Sequence, residues 1–225
     1  MCGIAGKLLF NQNEYVSDLS IRKMTENLHH RGPDDTGIWT EKNIGLGHKR
    51  LSIIDLSPAG HQPMSNQNDS LRIVFNGEIY NFLELRKFLQ KKGFLFKSHT
   101  DTETILYLYE LYQEKCLQYL RGMFAFAIWD RERQRLFLAR DRIGKKPLKY
   151  YLDDHCFVFA SELKAILTDQ NIAKQIDYQA IYNYLTFAYV PHPDTGFKNI
   201  KKLPQACYAI LQNGQMKIEK YWQVD

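Results

Sequence analysis

Cys2 lies at the second position of the chain, among the small residues Gly3, Ala5 and Gly6, which let other groups approach its backbone closely. If Met1 is removed, Cys2 carries a free α-amine. An α-amine has a pKa of about 7.7–8.0, so it can accept a proton near neutral pH. Thiol and base would then belong to one residue, the N-terminal variant of nucleophilic catalysis. If Met1 is retained, its peptide bond occupies that nitrogen and the thiol lacks its base.

Other polar residues could bind charged or polar parts of a substrate. The guanidinium of Arg50 can bind a carboxylate through two hydrogen bonds. The side-chain N–H of Asn76 and the backbone N–H of Gly77 can stabilise an oxyanion, and each such donor contributes about 10²–10³ in rate. Asp101 can pair with an ammonium group. Each of these residues could instead have a purely structural role. Arg50 could belong to a strand with a basic edge, Asn76-Gly77 could form a hairpin turn, and Asp101 could begin a helix.

Hydrophobic spacing and cap signals predict the elements that must position these residues. Helices are predicted over 18–29, 82–92, 101–119, 161–168 and 177–188. Strands are predicted over 46–54, 71–75, 123–129, 135–139, 148–152 and 156–160, with a hairpin from 207–212 to 215–221 around Asn213-Gly214. Asn81 with Glu84, and Thr100 with Glu103, form capping-box patterns. Since strands and helices are segregated along the chain, two packed sheets covered by helices fit better than a doubly wound parallel sheet.

Composition excludes several classes of protein. The 225 residues are 44% hydrophobic, which is too high for a disordered chain. The longest apolar run, 123–129, is far shorter than the roughly 20 residues that a membrane-spanning helix needs. The start of the chain lacks the pattern of a secretory signal, and the four cysteines are widely spaced. A reducing, cytoplasmic location without a membrane partner is therefore expected.

The net charge of +5 is concentrated in one part of the chain. Segment 131–149 holds eight basic residues and only two acidic ones, Glu132 and Asp141. Such a run could bind nucleic acid, but no nucleic-acid-binding motif accompanies it. A basic rim that faces solvent or a partner domain is favoured instead.

Nine short motifs follow one another over residues 1–162. They occupy 1–6, 30–35, 46–55, 61–64, 75–81, 99–103, 121–130, 139–142 and 159–162. Together they resemble the glutaminase domain of class II glutamine amidotransferases, which are N-terminal nucleophile hydrolases. Arg-Gly-Pro-Asp at 31–34, Asn-Gly-Glu-Ile-Tyr-Asn at 76–81 and Gly-Met-Phe-Ala-Phe at 122–126 are similar to the glutamine-hydrolysing asparagine synthetase branch.

The resemblance implies a single glutaminase domain over residues 1–225 with an α+β fold. That fold is a four-layer α-β-β-α sandwich of two antiparallel sheets. By the same resemblance, Cys2 is the nucleophile and its own α-amine is the base. Asn76 and Gly77 stabilise the tetrahedral oxyanion. No metal or other cofactor is implied for this domain.

The resemblance also implies the groups that bind L-glutamine. Arg50 holds the α-carboxylate, and Asp101 with Glu78 holds the α-ammonium group. The backbone of Leu51 and Ile53 lines the slot, and Asn76 and Gly77 contact the amide. A free amino acid presents one carboxylate, one ammonium and one amide, so this set supplies a partner for each.

The implied activity is hydrolysis of L-glutamine to glutamate and ammonia through a cysteine thioester. In the family, ammonia passes to a C-terminal synthetase domain that uses ATP and Mg²⁺ to make asparagine from aspartate. No such domain is present in these 225 residues, so the sequence is expected to be part of a longer chain. The alternatives are an amidotransferase that feeds a sugar or peptide acceptor, a peptidase or acylase of the same superfamily, and a non-catalytic interaction domain. A homo-oligomer is left open.

Overall fold

A computed structural model of the protein describes residues 1–224 and contains two six-stranded antiparallel sheets. The strands are β1 (Gly3–Leu9), β2 (Asp35–Glu41), β3 (Ile44–Arg50), β4 (Met64–Ser65), β5 (Leu71–Ile79), β6 (Gly122–Asp130), β7 (Arg135–Arg140), β8 (Lys149–Leu152), β9 (Cys156–Ala160), β10 (Ile200–Lys202), β11 (Cys207–Gln212) and β12 (Gln215–Lys220). The helices are α1 (Asp18–Glu26), α2 (Phe82–Lys91), α3 (Asp101–Tyr112), α4 (Leu163–Ile166) and α5 (Tyr178–Phe187). No helix within the described residues is long and apolar enough to span a membrane.

The first sheet has the strand order β10-β8-β9-β1-β3-β2, and the second has the order β12-β11-β7-β6-β5-β4. Every strand pair in both sheets is antiparallel. The two sheets pack face to face, with β1 and β3 of the first sheet against β5 of the second. Strand β1, which Cys2 precedes, and strand β3, which carries Arg50, therefore face strand β5, which carries Asn76.

Three apolar cores separate four layers. The middle core lies between the sheets and includes Ile4 and Val74. A second core lies between the outer face of the second sheet and α2 and α3, and includes Phe75. A third lies between the outer face of the first sheet and α1 and α4, and includes Ala5 and Ile21. Successive residues of a strand point to opposite faces, so Val74 and Phe75 enter different cores. The predicted four-layer α-β-β-α sandwich is confirmed.

The predicted hairpin at Asn213-Gly214 is confirmed. Both residues have positive φ angles, 52° and 74°, as a type I′ turn requires. Strands β11 and β12 pair directly from Gln212 and Gln215 on either side of it. This turn fixes the register of the last two strands of the second sheet.

Several predicted boundaries differ from the structure. The strand predicted over 46–54 ends at Arg50. The helix predicted over 101–119 ends as an α-helix at Tyr112, because Gln113 has a φ of 51° that breaks the helix. Strands β1, β2, β4 and β10 were not predicted from the hydrophobic pattern. Strand β1 is buried on both faces, and such strands lack the alternation that marks a half-exposed strand.

Of the two predicted capping boxes, one forms in part and the other is wrong. The Thr100 hydroxyl accepts a hydrogen bond from the N–H of Glu103 at 3.3 Å and caps α3. Asn81 precedes α2 but does not cap it with its side chain. Its amide instead donates to the carbonyl of Tyr119 at 3.0 Å and accepts from the N–H of Arg121 at 3.0 Å. The Asn81 side chain therefore bonds to the 119–121 segment instead of to the N–H groups of the first turn of α2.

The basic segment 131–149 is largely engaged with other parts of the molecule. Arg131 donates to the carboxylate of Glu41 at 3.1 Å. The buried guanidinium of Arg140 donates to three backbone carbonyl oxygens at 2.7–2.8 Å. Lys149 donates to the carbonyl of Ser161 at 3.0 Å. These contacts join elements of the fold, so much of the basic segment has a structural role within the molecule.

Asp141 organises the loop that follows β7. Its carboxylate is fully buried. It accepts hydrogen bonds of 2.9–3.2 Å from the backbone N–H groups of Phe124, Ile143, Lys145 and Lys146. One side chain thus ties β6 to the 143–146 loop and sets the position of Lys146.

We expect Asp141→Ala to lower the free energy of unfolding by about 3 kcal/mol, because four backbone N–H groups lose their buried acceptor. Urea denaturation measures the change. Asp154→Ala, at an exposed position, is the control and should stay within about 0.5 kcal/mol of the wild type. Equal stabilities of the two variants would contradict the assigned role of Asp141.

Candidate active site

All eight residues singled out in the sequence line one cavity of about 140 Å³. They are Cys2, Arg50, Leu51, Ile53, Asn76, Gly77, Glu78 and Asp101. The cavity lies where the start of β1, the end of β3, the second half of β5 and the first turn of α3 meet. Residues that are up to 99 positions apart in sequence are brought together by the packing of the two sheets and α3.

The thiol of Cys2 lies at one wall of the cavity, beside Leu51. The Leu51 N–H donates to the sulfur at 3.4 Å, and the sulfur lies 3.6 Å from the Leu51 carbonyl oxygen. Arg31 Nε donates to the Cys2 carbonyl oxygen at 2.9 Å and fixes the backbone there. Burial raises the pKa of the Cys2 thiol above its usual range. The thiol therefore stays protonated at neutral pH and needs a base to become a nucleophile.

The α-amine at the start of the chain belongs to Met1 in this structure, so the nitrogen of Cys2 is part of a peptide bond. Burial lowers the pKa of the Met1 α-amine, the charge of Cys2 opposes this effect, and the charges of Arg31 and Lys146 add to it. The Cys2 nitrogen can act as a base only after Met1 is removed.

Strand β5 presents backbone N–H groups along its edge away from β6. The N–H of Phe75 donates to the side-chain oxygen of Gln62 at 2.7 Å, and the N–H of Ile79 donates to Asp101 at 2.9 Å. Alternate peptide groups of a strand point to the same edge. The N–H of Gly77, midway between these two, therefore points to that edge as well, where Gly77 lines the cavity.

Asn76 supplies a second donor next to Gly77. Its side chain is 1% exposed, and its amide nitrogen has no hydrogen-bond partner among the described residues. A buried donor without a partner costs free energy, and a ligand oxygen would satisfy it. Asn76 and Gly77 pair with Ala125 and Phe124 in the middle of the β5–β6 ladder. The alternative of a hairpin turn at Asn76-Gly77 is therefore wrong.

A glycine is required at position 77 by close packing. A Cβ atom there would lie 2.3 Å from the carbonyl oxygen of Met123 and 2.8 Å from the Cα of Phe124 on β6. Any other side chain would push β5 away from β6. Such a shift would move the Gly77 N–H and the Asn76 side chain out of the cavity wall.

Arg50 ends β3 with its side chain buried against the loop that covers the cavity. The guanidinium donates to the carbonyl oxygens of Ser57, at 2.9 Å, and Asp55. A guanidinium has five N–H donors, so three remain for a ligand. The carboxylate of Asp55 accepts from the N–H of Ser57 and of His99. Its pKa is lowered to about 2, first by the side-chain hydroxyl of Ser57 and then by the His99 N–H. Arg50 thus fixes the loop that covers the cavity through the backbone carbonyls of Asp55 and Ser57.

Leu51 and Ile53 lie in that loop, beyond the end of β3. The sequence placed them in a strand, which the structure corrects. Ile53 is 69% exposed and forms part of the rim of the cavity. Ending β3 at Arg50 lets the chain turn over the cavity beside Cys2.

Asp101 is the first residue of α3, as the helix-start interpretation predicts, and it also lines the cavity. Its carboxylate is 4% exposed and accepts from the N–H of Ile79. Burial raises its pKa to about 6, and the charge of Glu78 adds to this effect. Glu78 lies on the same face of β5 as Asn76. Two carboxylates in the wall of the cavity favour a cationic group beside them.

Other residues line the cavity without having been assigned a role from the sequence. Among them are Gln62, Thr102, Met123 and Lys146. Gln62 belongs to the 61–64 motif, which marked its importance but not its contacts. Lys146 was one of many basic residues in 131–149, and its ammonium donates to the sulfur of Met1 at 3.0 Å. Lys146 reaches the cavity wall because Asp141 fixes the 143–146 loop. No local sequence pattern indicates this arrangement.

The raised pKa of Asp101 predicts how stability depends on pH. Between the model-peptide value of 3.8 and about 6, the native carboxyl keeps a proton that the unfolded chain releases. Stability from this group is therefore present at low pH and is lost as pH rises through that window. Relative to Asp101→Asn, the wild type should lose about 3 kcal/mol between pH 4 and pH 7.

Urea unfolding of both proteins at pH 4, 5, 6 and 7 measures this difference. Asparagine keeps an oxygen that can accept from the Ile79 N–H, so the comparison isolates the charge. If the free energies of unfolding of the two proteins change in parallel with pH, the pKa of the Asp101 carboxyl is not raised in the native state.

Comparison with known proteins is consistent with this geometry. A family model described as a glutamine amidotransferase domain matches residues 1–222. Glutamine-hydrolyzing asparagine synthetase 3 of Bacillus subtilis is 39% identical over 228 residues, which are 100% of this chain and 37% of that protein. Putative glutamine-hydrolyzing asparagine synthetase 2 of Methanocaldococcus jannaschii is 40% identical over 242 residues, 99% of this chain and 46% of that protein. The chain thus spans less than half the length of these relatives.

The fold matches a solved structure at lower sequence identity. Glutamine phosphoribosylpyrophosphate (PRPP) amidotransferase from B. subtilis, complexed with ADP and GMP, superposes with a TM-score of 0.73. The match covers 99% of this chain and 50% of that chain at 20% identity. At this identity the likeness establishes the common fold.

Proposed function

Because the chain belongs to the glutamine amidotransferase family, in its class II branch, we propose that it hydrolyses L-glutamine to glutamate and ammonia with Cys2 as the nucleophile. One observation supports this most strongly. A single cavity is lined by a buried thiol, two N–H donors on β5, one guanidinium and two carboxylates.

The charged groups fit a free amino acid. Arg50 would bind the α-carboxylate with donors that its loop contacts leave available. Asp101 and Glu78 would bind the α-ammonium group, which would also keep Asp101 ionised. The backbone of Leu51 and Ile53 would form the wall between these ends. A slot closed by charge at both ends favours L-glutamine over a glutamine residue inside a peptide.

The first half of the reaction follows from the groups around Cys2. Removal of Met1 frees the Cys2 α-amine, which takes the proton of the thiol. The sulfur attacks the side-chain amide carbon, and the oxyanion that forms is held by the Asn76 amide and the Gly77 N–H. The protonated amine then gives its proton to the leaving nitrogen, the carbon–nitrogen bond breaks, and ammonia leaves behind a glutamyl thioester.

The second half uses the same groups on water. The α-amine takes a proton from water as it attacks the thioester carbon, and the oxyanion again forms beside Asn76 and Gly77. The carbon–sulfur bond breaks, the thiolate recovers its proton, and glutamate is released. The mechanism needs a reduced Cys2, in keeping with the cytoplasmic location expected from the sequence.

The use of the ammonia is proposed from the relatives. Both curated relatives carry asparagine synthetase in their names, and each is more than twice as long as the matched region. We propose that ammonia passes to a synthetase domain outside this chain, which would use ATP and Mg²⁺ to convert aspartate to asparagine. No residue of this chain is assigned to that step.

Release of glutamate from L-glutamine by protein that lacks Met1 tests the proposed activity. Cys2→Ser should lower the rate by about 10³-fold or more, because a hydroxyl is a far weaker nucleophile beside the same base. Cys207→Ala, which changes a buried cysteine of β11 outside the cavity, is the control and should retain activity. Intact mass must show the loss of Met1 in each sample. An inactive wild type, or a fully active Cys2→Ser, would contradict the proposal.

Arg50→Lys tests the carboxylate site. A lysine cannot reproduce the two parallel hydrogen bonds of a guanidinium. We expect the KM for L-glutamine to rise by about 10–100-fold, with kcat within about threefold of the wild type. With the α-amide of L-glutamine, which has no carboxylate, the substitution should change kcat/KM by less than about threefold. An equal loss of kcat/KM with L-glutamine and with its α-amide would show that Arg50 does not bind the substrate α-carboxylate.

A further inference from the structure

We propose that Gln62 is a positioning residue for the oxyanion-binding groups and acts through the open edge of β5. This inference rests on the proposed glutaminase activity. It concerns a residue that lines the cavity but takes no part in the reaction as set out above.

The edge of β5 needs partners that no strand supplies. Strand β4 pairs with β5 only at Arg72 and Ile73. Beyond Ile73, no described strand lies beside β5 on the side away from β6. The backbone groups of Phe75, Gly77 and Ile79 face that side, and buried backbone groups require hydrogen-bond partners.

Gln62 satisfies the first of these groups. Its side chain is 4% exposed, and its oxygen accepts from the N–H of Phe75 at 2.7 Å. Its amide nitrogen donates to the hydroxyl of Thr102 at 3.1 Å. Since Thr102 is in α3, the Gln62 amide bridges β5 to the helix that carries Asp101. The amide is engaged by the protein at both ends.

The other groups along the edge are held in the same way. A ring nitrogen of His48, on β3, lies 3.0 Å from the carbonyl oxygen of Phe75. Burial lowers the pKa of His48 to about 4, so the ring is neutral at pH 7 and can donate one hydrogen bond there. Asp101 accepts from the N–H of Ile79. Gly77 therefore lies between the fixed N–H groups of Phe75 and Ile79. The N–H of Gly77 points to the same edge of β5, where the cavity lies.

The N–H that Gln62 holds belongs to the Val74–Phe75 peptide, and His48 contacts the carbonyl of the next peptide, Phe75–Asn76. Gln62 therefore fixes the backbone of Phe75 and, through that residue, the direction of the Asn76 side chain. Oxyanion donors must lie about 2.7–3.1 Å from the developing charge. A displacement of about 1 Å can cost about 10²-fold in rate. Loss of the Gln62 hydrogen bond should therefore lower kcat through Asn76 and Gly77, with little effect on the ends of the slot that bind substrate charge.

The chain offers a matched control in Asn66. Its side chain is also 4% exposed, and its oxygen accepts from the N–H of Leu71 at the other end of β5, at 3.0 Å. Its nitrogen donates to Glu110 of α3 at 2.9 Å. Asn66 thus bridges the same strand and the same helix with the same chemistry, but it does not line the cavity.

The experiment compares Gln62→Met with Asn66→Leu, both as protein that lacks Met1. Both variants should show lower urea midpoints, since each loses a buried bridge. Gln62→Met should lower kcat for L-glutamine by about 10–100-fold with KM within about threefold, whereas Asn66→Leu should keep kcat within about threefold. Gln62→Glu, which keeps an acceptor for the Phe75 N–H, should recover most of the lost kcat.

A second measurement reports on the oxyanion site directly. The aldehyde analogue of glutamine, L-glutamate γ-semialdehyde, can add the Cys2 thiol to its carbonyl carbon, which leaves a tetrahedral oxygen in the oxyanion site. Its inhibition constant should rise in Gln62→Met in step with the loss of kcat, and should not change in Asn66→Leu. If Gln62→Met does not fold, Gln62→Asn, whose amide is set back by one carbon–carbon bond, should show the same loss.

The inference is wrong if Gln62→Met and Gln62→Asn match Asn66→Leu in kcat and in aldehyde inhibition, or if only their KM changes. Failure of the proposed function looks different. In that case the wild type without Met1 releases no glutamate, or Cys2→Ser is as active as the wild type.

Discussion

The packing of the two sheets against each other sets the distance on which the site depends. Cys2 leads into β1 of the first sheet, while Asn76 and Gly77 belong to β5 of the second. Between them, side chains such as Ile4 and Val74 fill the middle core. Packed sheets lie about 10 Å apart, and close-packed cores yield little to strain. The thiol and the oxyanion donors are therefore held in place by the same apolar contacts that stabilise the domain.

Burial has opposite effects on the pKa values of the acids and bases around the cavity, because it favours the neutral form of each group. It raises the pKa of the Cys2 thiol and of the Asp101 carboxyl, and it lowers that of the Met1 α-amine and of His48. The thiol is therefore neutral at pH 7. Asp101 is mostly ionised at pH 7 and takes up a proton as the pH falls through about 6.

Comparison of two identical dipeptides shows what the sequence can and cannot predict. Asn213-Gly214 forms the expected turn, whereas Asn76-Gly77 lies in the middle of β5. Local preference is the same for both, and the long pairing of β5 with β6 decides the second case. Asp101 was predicted both as a helix start and as a charged site residue, and its position is consistent with both. Strand β1, buried on both faces, gave no alternation to detect.

The roles proposed for the site residues rest on the order of the nine motifs, because no single motif identifies a chemistry. Gln62 and Lys146 show the limit of that approach. The contacts of Gln62 are with Phe75 and Thr102, and Lys146 reaches the cavity through a loop held by the buried Asp141. Such contacts depend on which backbone groups the fold leaves without partners. That information is absent from local sequence patterns.

The side chains along the edge of β5 have a further consequence for the protein in a crowded cell. An uncovered strand edge is a template on which a strand of another molecule can pair, and it is a common start of aggregation. A site that must admit a substrate at such an edge cannot cover it with a whole strand. Here the side chains of Gln62, His48 and Asp101 each bond to one backbone group of β5 that a neighbouring strand would otherwise pair with. The site stays open to a small molecule while the edge is closed to a foreign strand.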